Sequence, residues 1–299
     1  MIEIEGLTKK YGSFTAVDSL DLSIGEGDTF GFLGPNGAGK TTTILMAVGV
    51  LHPTSGEVRL FGRDVQKEIE IKKNIGVVSE QQYLYNDMTA YEYLNFFAEL
   101  YSVDSERIDE VLEYMRLANV KNKLLKEYSK GMRQKISVGR AVLHDPDILI
   151  LDEPAYGLDP KGVKEIRDLV LSKKKEGKTI FISSHILTEI EKVCDNVGII
   201  NKGKLVFEGE MDELKQRVVG GRQVHIELHE LTEEIKADLK DLPFVRSISV
   251  EGNTVRVSTE EDKRKELSER VTASGGIIIG MHEEGVSLED AFLRVTKDE

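Results

Sequence analysis

Residues Gly34-Pro35-Asn36-Gly37-Ala38-Gly39-Lys40-Thr41 restrict the fold of this chain more than any other stretch of it. They fit the pattern G-x-x-x-x-G-K-[ST]. The apolar run Thr29-Phe30-Gly31-Phe32-Leu33 precedes them, and a helix-forming stretch from Lys40 to about Gly49 follows. Glycines let the backbone wrap closely, so that successive N–H groups point inward at an anion. The helix that opens at Lys40 adds the positive end of its dipole. The motif therefore predicts a strand, a phosphate-binding loop and a helix, in which Lys40 reaches the β- and γ-phosphates of a nucleotide and Thr41 ligates magnesium. We count Gly34 to Thr41, with Thr42 beside them, as nucleotide-binding candidates. A second half-site is written in Ile148-Leu149-Ile150-Leu151-Asp152-Glu153. A continuous apolar strand is buried on both faces, as in parallel sheets. Its terminal carboxylate, Asp152, falls beside a nucleotide's magnesium, and Glu153 is placed to polarise a water toward the γ-phosphate.

The rest of the chain is consistent with a layered α/β core. Ile2, Ile4 and Leu7, then Val17, Leu20, Leu22 and Ile24, alternate as half-buried antiparallel strands. Short strands follow at Val58–Gly62 and Ile75–Val78, and from about Asn86 to Lys126 the spacing becomes helical. Lys161 to Lys175 predicts a helix stopped by Gly177, and Thr179–Ser183 another parallel strand. Near Arg217 the character changes at Gly220-Gly221. Beyond it the elements run β-α-β-β-α-β, a ferredoxin-like order, which sets domains at 1–217 and 218–299 with a helical insert at about 86–130. In that tail, Ile277-Ile278-Ile279 and the face of Leu288, Phe292 and Val295 are the expected core. No apolar run approaches the ~18 residues of a bilayer span, and no secretion signal precedes Met1-Ile2-Glu3-Ile4. The chain is thus expected in the cytoplasm. A net charge of -13 disfavours duplex nucleic acid as a partner, and the single cysteine, Cys194, excludes an internal disulfide.

Further motifs carry a family resemblance. Tyr128-Ser129-Lys130-Gly131-Met132-Arg133-Gln134 resembles the Leu-Ser-Gly-Gly-Gln signature of ABC ATPases. Asp152-Glu153-Pro154-Ala155-Tyr156-Gly157-Leu158-Asp159-Pro160 resembles their Walker B and D-loop, Ser183-Ser184-His185 their switch histidine, and Tyr11 the aromatic that stacks on adenine. The match covers residues 1 to about 215. It implies ATP with magnesium, Glu153, His185 and Lys40 in catalysis, and Ser129, Gly131, Gln134 and Asp159 as further nucleotide contacts. Ser129 and Gly131 would touch the γ-phosphate held by an opposite subunit, so the active form would be a dimer of this chain. Two departures stand out. Tyr128 and Lys130 replace the commoner leucine and glycine. Aligning Ile75–Val78 puts Glu80 at the family's magnesium-sensing glutamine, with Gln81 one place later; both remain candidates beside Thr41 and Asp152. The segment Glu284–Leu293 resembles the end of ATPases that serve type-2 ABC exporters. That resemblance implies a separate membrane-spanning permease subunit, attachment to the inner face of the membrane through it, and a regulatory or dimer-stabilising tail. Tyr83, Leu84 and Tyr85 are expected to line the groove that receives the permease. The competing reading is a soluble ABC ATPase acting on nucleic acid, ribosomes or cluster assembly.

Overall fold

The computed structural model describes residues 1–184, 187–214, 222–259, 261–284 and 292. The chain divides into two compact units, Met1–Glu210 and Met211–Glu299. That break precedes the expected boundary near 218, because strand β10 (Lys204–Glu210) ends there and residues 211–214 turn helical.

The first unit carries two sheets. The antiparallel one has the order β2 (Phe14–Ile24), β1 (Ile2–Tyr11), β4 (Ser55–Leu60), β5 (Arg63–Asp64). Its alternation is visible in the register, where Ile2 faces Ile24 and Ile4 faces Leu22. The second sheet runs β10, β9 (Asn196–Asn201), β3 (Thr29–Leu33), β8 (Thr179–Ser183), β7 (Ile148–Asp152), β6 (Ile75–Val78). All but β10 are parallel. Every residue of β3, β7 and β8 is buried, as unbroken apolar strands require when both faces are covered. Phe30 and Phe32 pack at a tilt against Phe181 within the core. Parallel strands end on one edge, and that edge gathers the functional segments: the glycine loop after β3, Glu80 after β6, Asp152 and Glu153 at β7, and Ser183 at β8.

Helices close the unit: α1 (Lys40–Ala47), α2 (Ala90–Tyr101), α3 (Glu106–Tyr114), α4 (Lys130–Val142), α5 (Pro160–Lys175) and α6 (Leu187–Val193). α2 starts on a reciprocal cap. Thr89 Oγ1 accepts from Glu92 N–H at 3.1 Å, and Glu92 Oε2 accepts from Thr89 N–H at 2.8 Å. α5 begins with Asp159 as cap and Pro160 in its first turn, and ends on three lysines that suit its negative pole.

The second unit is a four-stranded antiparallel sheet ordered β12 (Val245–Glu251), β13 (Thr254–Thr259), β11 (Arg222–Leu228), β14 (Ile278–Glu284). With α7 (Glu233–Lys240) and α8 (Arg264–Ala273) it is the expected ferredoxin-like order. Val224, Ile226, Leu228, Val255 and Val257 pack with Ile235, Leu239, Leu267 and Val271 as its core. The expectation for Ile277–Ile279 needs correcting. Side chains alternate along a strand, so Ile278 packs against the core while Ile277 and Ile279 are 65% and 60% exposed. Leu288 and Val295 lie outside the described residues.

Candidate functional site

The site starts from backbone conformations that only certain residues tolerate. Gly39 caps α1 with φ 114°, and a Cβ there would stand 2.6 Å from the Ala16 carbonyl. Gly34 is equally confined, since a Cβ would reach within 2.4 Å of the Ile200 carbonyl. The loop is thus wedged between β2 and β9. Lys40 Nζ donates to the Gly34 carbonyl at 2.7 Å and to Pro35 at 3.3 Å. Burial lowers the affinity of this amine for its proton, and the carboxylates of Glu153, Asp152 and Glu80 pull it back up.

Opposite the lysine stands a set of oxygens. Asp152 is buried and accepts from Ser183 Oγ at 2.5 Å. Burial raises its proton affinity, Glu80 and Glu153 raise it further, and the hydroxyls of Ser183 and Thr41 oppose the rise. Thr41 Oγ1 also lies 3.5 Å from Glu80 Oε2. Glu153 adopts φ 49°, a left-handed conformation uncommon for a residue other than glycine. Its N–H is held by the Ser183 carbonyl at 3.2 Å and by Ser183 Oγ at 3.1 Å. This turns the chain sharply at the end of β7 and brings the carboxylate into the cleft rather than over the sheet.

A cleft of about 570 Å³ has Lys40, Thr41, Thr42, Glu80 and Glu153 in its lining, while the buried Asp152 does not line it. Asn36, Gly37, Gly39 and Tyr11 line it too. Tyr11 is 51% exposed, at the tip of the β1–β2 hairpin. Of the two glutamine-position candidates, Glu80 faces the cleft, whereas the Gln81 side chain accepts from Tyr83 Oη at 2.7 Å outside it. Gln82, one further on, donates to Gln134.

The signature lies apart from this cleft. Ser129 caps α4, accepting from Met132 N–H at 3.2 Å, and is exposed. Gly131 follows it in the first turn. Gln134 points the other way: it is buried and donates to the Pro154 carbonyl at 2.8 Å, so its amide is engaged within the subunit. Asp159 also sits outside the cleft, with Oδ1 accepting from Gly162 N–H at 2.8 Å. His185 lies outside the described residues. Tyr128 is a core residue whose hydroxyl donates to the Val120 carbonyl at 2.8 Å. That position needs an apolar body, which tyrosine supplies as well as leucine.

Three cleft residues escaped the sequence reading: Phe14, Ala16 and Tyr156. Phe14 pairs with Tyr11 across the two-residue turn Gly12-Ser13, and both rings line the cleft. The turn spacing was the available signal. Tyr156, three residues after Glu153, also lines it, and nothing in its local pattern distinguished it. Farther away, Tyr83, Tyr85, Phe96 and Leu100 are exposed. Leu84, expected with them, is buried, and Phe96 takes its place in the ring cluster with Tyr85 and Phe97.

A strand-loop-helix phosphate site on a parallel sheet, beside an antiparallel sheet and a helical insert, defines an ATP-binding cassette. Residues 17–156 match the ABC transporter family, and residues 209–296 match the C-terminal domain of DrrA1-3-like ATP-binding proteins. The bacitracin transport ATP-binding protein BcrA of Bacillus licheniformis is 48% identical over 220 residues, 73% of this chain and 72% of the relative. Its namesake from Enterococcus faecalis is 35% identical over 299 residues, 99% of this chain and 96% of the relative. A solved ATP-binding subunit of an ABC transporter superposes with a TM-score of 0.68 at 27% identity, covering 73% of this chain and 92% of that one. The chain belongs to the ABC transporter ATP-binding proteins. It is an ATP-binding, ATP-hydrolysing subunit of the exporter type that its tail and relatives define. Such subunits work with membrane partners, and among the described residues no helix is long and apolar enough to cross a membrane.

Proposed function

We propose that two copies of this chain close around ATP and magnesium and drive export through a separate membrane-spanning subunit. The observation that supports this best is a division of labour. The cleft gathers Lys40, Thr41, Glu80 and Glu153, while Ser129 and Gly131, at the positive end of α4, do not line it. Each chain offers one phosphate loop and one signature, so a complete site takes each from a different copy. Tyr11 and Phe14 hold the base, and Asn36 to Thr42 with Lys40 hold the phosphates. Lys40, already oriented by two loop carbonyls, places its charge on the β- and γ-oxygens with little rearrangement. Glu153 orients the attacking water and accepts its proton, because it is the cleft carboxylate whose backbone is locked at the strand end. His185 is the further candidate donor that the family resemblance implies.

Magnesium fits the donor set. Thr41 Oγ1 and the carboxylates of Asp152 and Glu80 are hard oxygen ligands of the kind this ion takes. Among the described residues no three carboxylate, cysteine or histidine groups converge as a self-sufficient metal cage. That suits an ion completed by phosphate oxygens and water, and bound there it would neutralise charge developing on the phosphates. The exposed rings of Tyr83, Tyr85 and Phe96, rimmed by polar residues, are the surface we assign to the membrane subunit. The tail, which contributes none of these groups, regulates or stabilises the pair.

Substitution of Ser129 by arginine tests the shared site. Ser129→Arg fills the position of the partner's γ-phosphate. Turnover should fall at least ~100-fold, with no ATP-dependent dimer in sedimentation, while the monomer still binds ATP through Lys40. Normal dimerisation and hydrolysis by Ser129→Arg would refute the arrangement.

A further inference from the structure

Lys130 stands in an electrostatically adverse place. It is the first residue of α4, where the helix dipole repels a cation, and the first turn holds no acidic residue. Its side chain instead runs across to the segment after Glu153. The stem passes directly over Gly157, where a Cβ would meet Lys130 Cε at 2.7 Å. Gly157 is also held at φ 75°, so both its conformation and its bareness serve the crossing. Lys130 Nζ ends 4.0 Å from the centre of the Tyr156 ring, within cation–π range. That ring lines the nucleotide cleft. The Tyr156 N–H donates to the Glu153 carbonyl at 3.0 Å, closing the turn that sets the Glu153 backbone. A second tie runs parallel to the first, since Gln134 of the same helix donates to Pro154.

We propose that Tyr156 and Lys130 form a clip that couples a subunit's own nucleotide cleft to its own signature, so that filling one site of the dimer orients the signature that closes over the other. The ring meets the nucleotide side, the amine belongs to the residue that directly follows Ser129, and the ring's own segment is the turn bearing Glu153. Tyr156 and Lys130 are positioning residues in this scheme. The inference rests on the shared-site reading above and adds to it a route between the two sites.

The test is a double-mutant cycle in the full-length chain, read as the ATP dependence of hydrolysis. Lys130→Met and Tyr156→Leu should each lower kcat about tenfold and bring the Hill coefficient toward one, with KM moving less than about threefold. Lys130→Arg and Tyr156→Phe, which keep the cation and the ring, should restore cooperativity. The double variant Tyr156→Leu/Lys130→Met should be no worse than either single one, because both break the same contact. Multiplicative losses, or a Lys130→Met protein as cooperative as Lys130→Arg, would overturn the clip while leaving the shared site intact. Hydrolysis by the wild type that is non-cooperative at every ATP concentration and proceeds as a monomer would overturn the shared site, and the clip with it.

Discussion

At the residue scale the site is a balance of opposed burial costs. Asp152 has its proton affinity raised chiefly by burial, so in the nucleotide-free protein its charge is a net cost to folding. The folded state then holds the proton more tightly than the unfolded chain. The contribution of Asp152 to stability is therefore greatest at acid pH, and it declines as pH rises from the ordinary carboxylate value through the raised one. Asp152→Asn keeps the acceptor for Ser183 Oγ and removes the charge. It should raise the thermal unfolding temperature of the nucleotide-free protein at neutral pH and abolish the further rise given by magnesium with ATP. An unchanged or lower unfolding temperature would contradict the sign assigned to Asp152. Such a trade of stability for function is common at active sites. Most of these residues were legible beforehand because their chemistry is tied to spacing: a glycine loop needs Lys40 and Thr41 at its end, and an apolar strand ending in two acids needs Asp152 and Glu153 at the sheet edge. Gln134 was not legible, because its motif gives no sign of which way the amide turns; the structure spends it on Pro154 and Gln82. Ala16 and Tyr156 were missed because their roles depend on which elements the cleft brings near, which no local pattern records, and Phe14 was missed although the turn spacing offered a signal.

At the scale of elements, the parallel sheet positions the chemistry and its packing is tight. β6 lies against α4, and a Cβ on Gly76 would come within 2.1 Å of the Ala141 carbonyl. Arg140 of α4 also donates to the Val77 carbonyl at 2.8 Å. Gly76→Ala should thus push β6 away from α4, cost about 2–3 kcal/mol and displace Glu80, which follows the strand. Urea denaturation and the magnesium dependence of hydrolysis report the two effects. Loss of neither would mean that the β6–α4 contact is softer than its geometry indicates. Element type was readable where the pattern was strong, as in the unbroken apolar run of β7 and in α5, where Gly177 also marks the end. From about Asn86 to Lys126 the sequence reads as helical, with no internal break marked. The structure breaks it into α2, α3 and short 3₁₀ turns, with Ser102 at φ 57° ending α2. The triplet Ile277–Ile279 misled for a related reason: a uniformly apolar run hides the alternation that decides which side chain is inside.

At the scale of the whole molecule, all the proposed chemistry falls in Met1–Glu210, and the tail has its own sheet and core. A chain ending at Glu210 should fold and hydrolyse ATP through Lys40, Asp152 and Glu153, yet dimerise less readily without nucleotide or lose control of its basal rate. Sedimentation of the full and shortened chains with and without ATP tests this. Loss of ATP binding on shortening would make the tail part of the catalytic fold. We propose that Glu153 drives water onto ATP held between two copies of this chain, and Glu153→Gln tests that role. The amide keeps the shape and removes the charge. Hydrolysis should fall at least ~100-fold, ATP should still bind, and the protein should accumulate as an ATP-bound dimer in size-exclusion chromatography. Turnover by Glu153→Gln within about threefold of wild type, or a variant that binds ATP but stays monomeric at every concentration, would contradict the account.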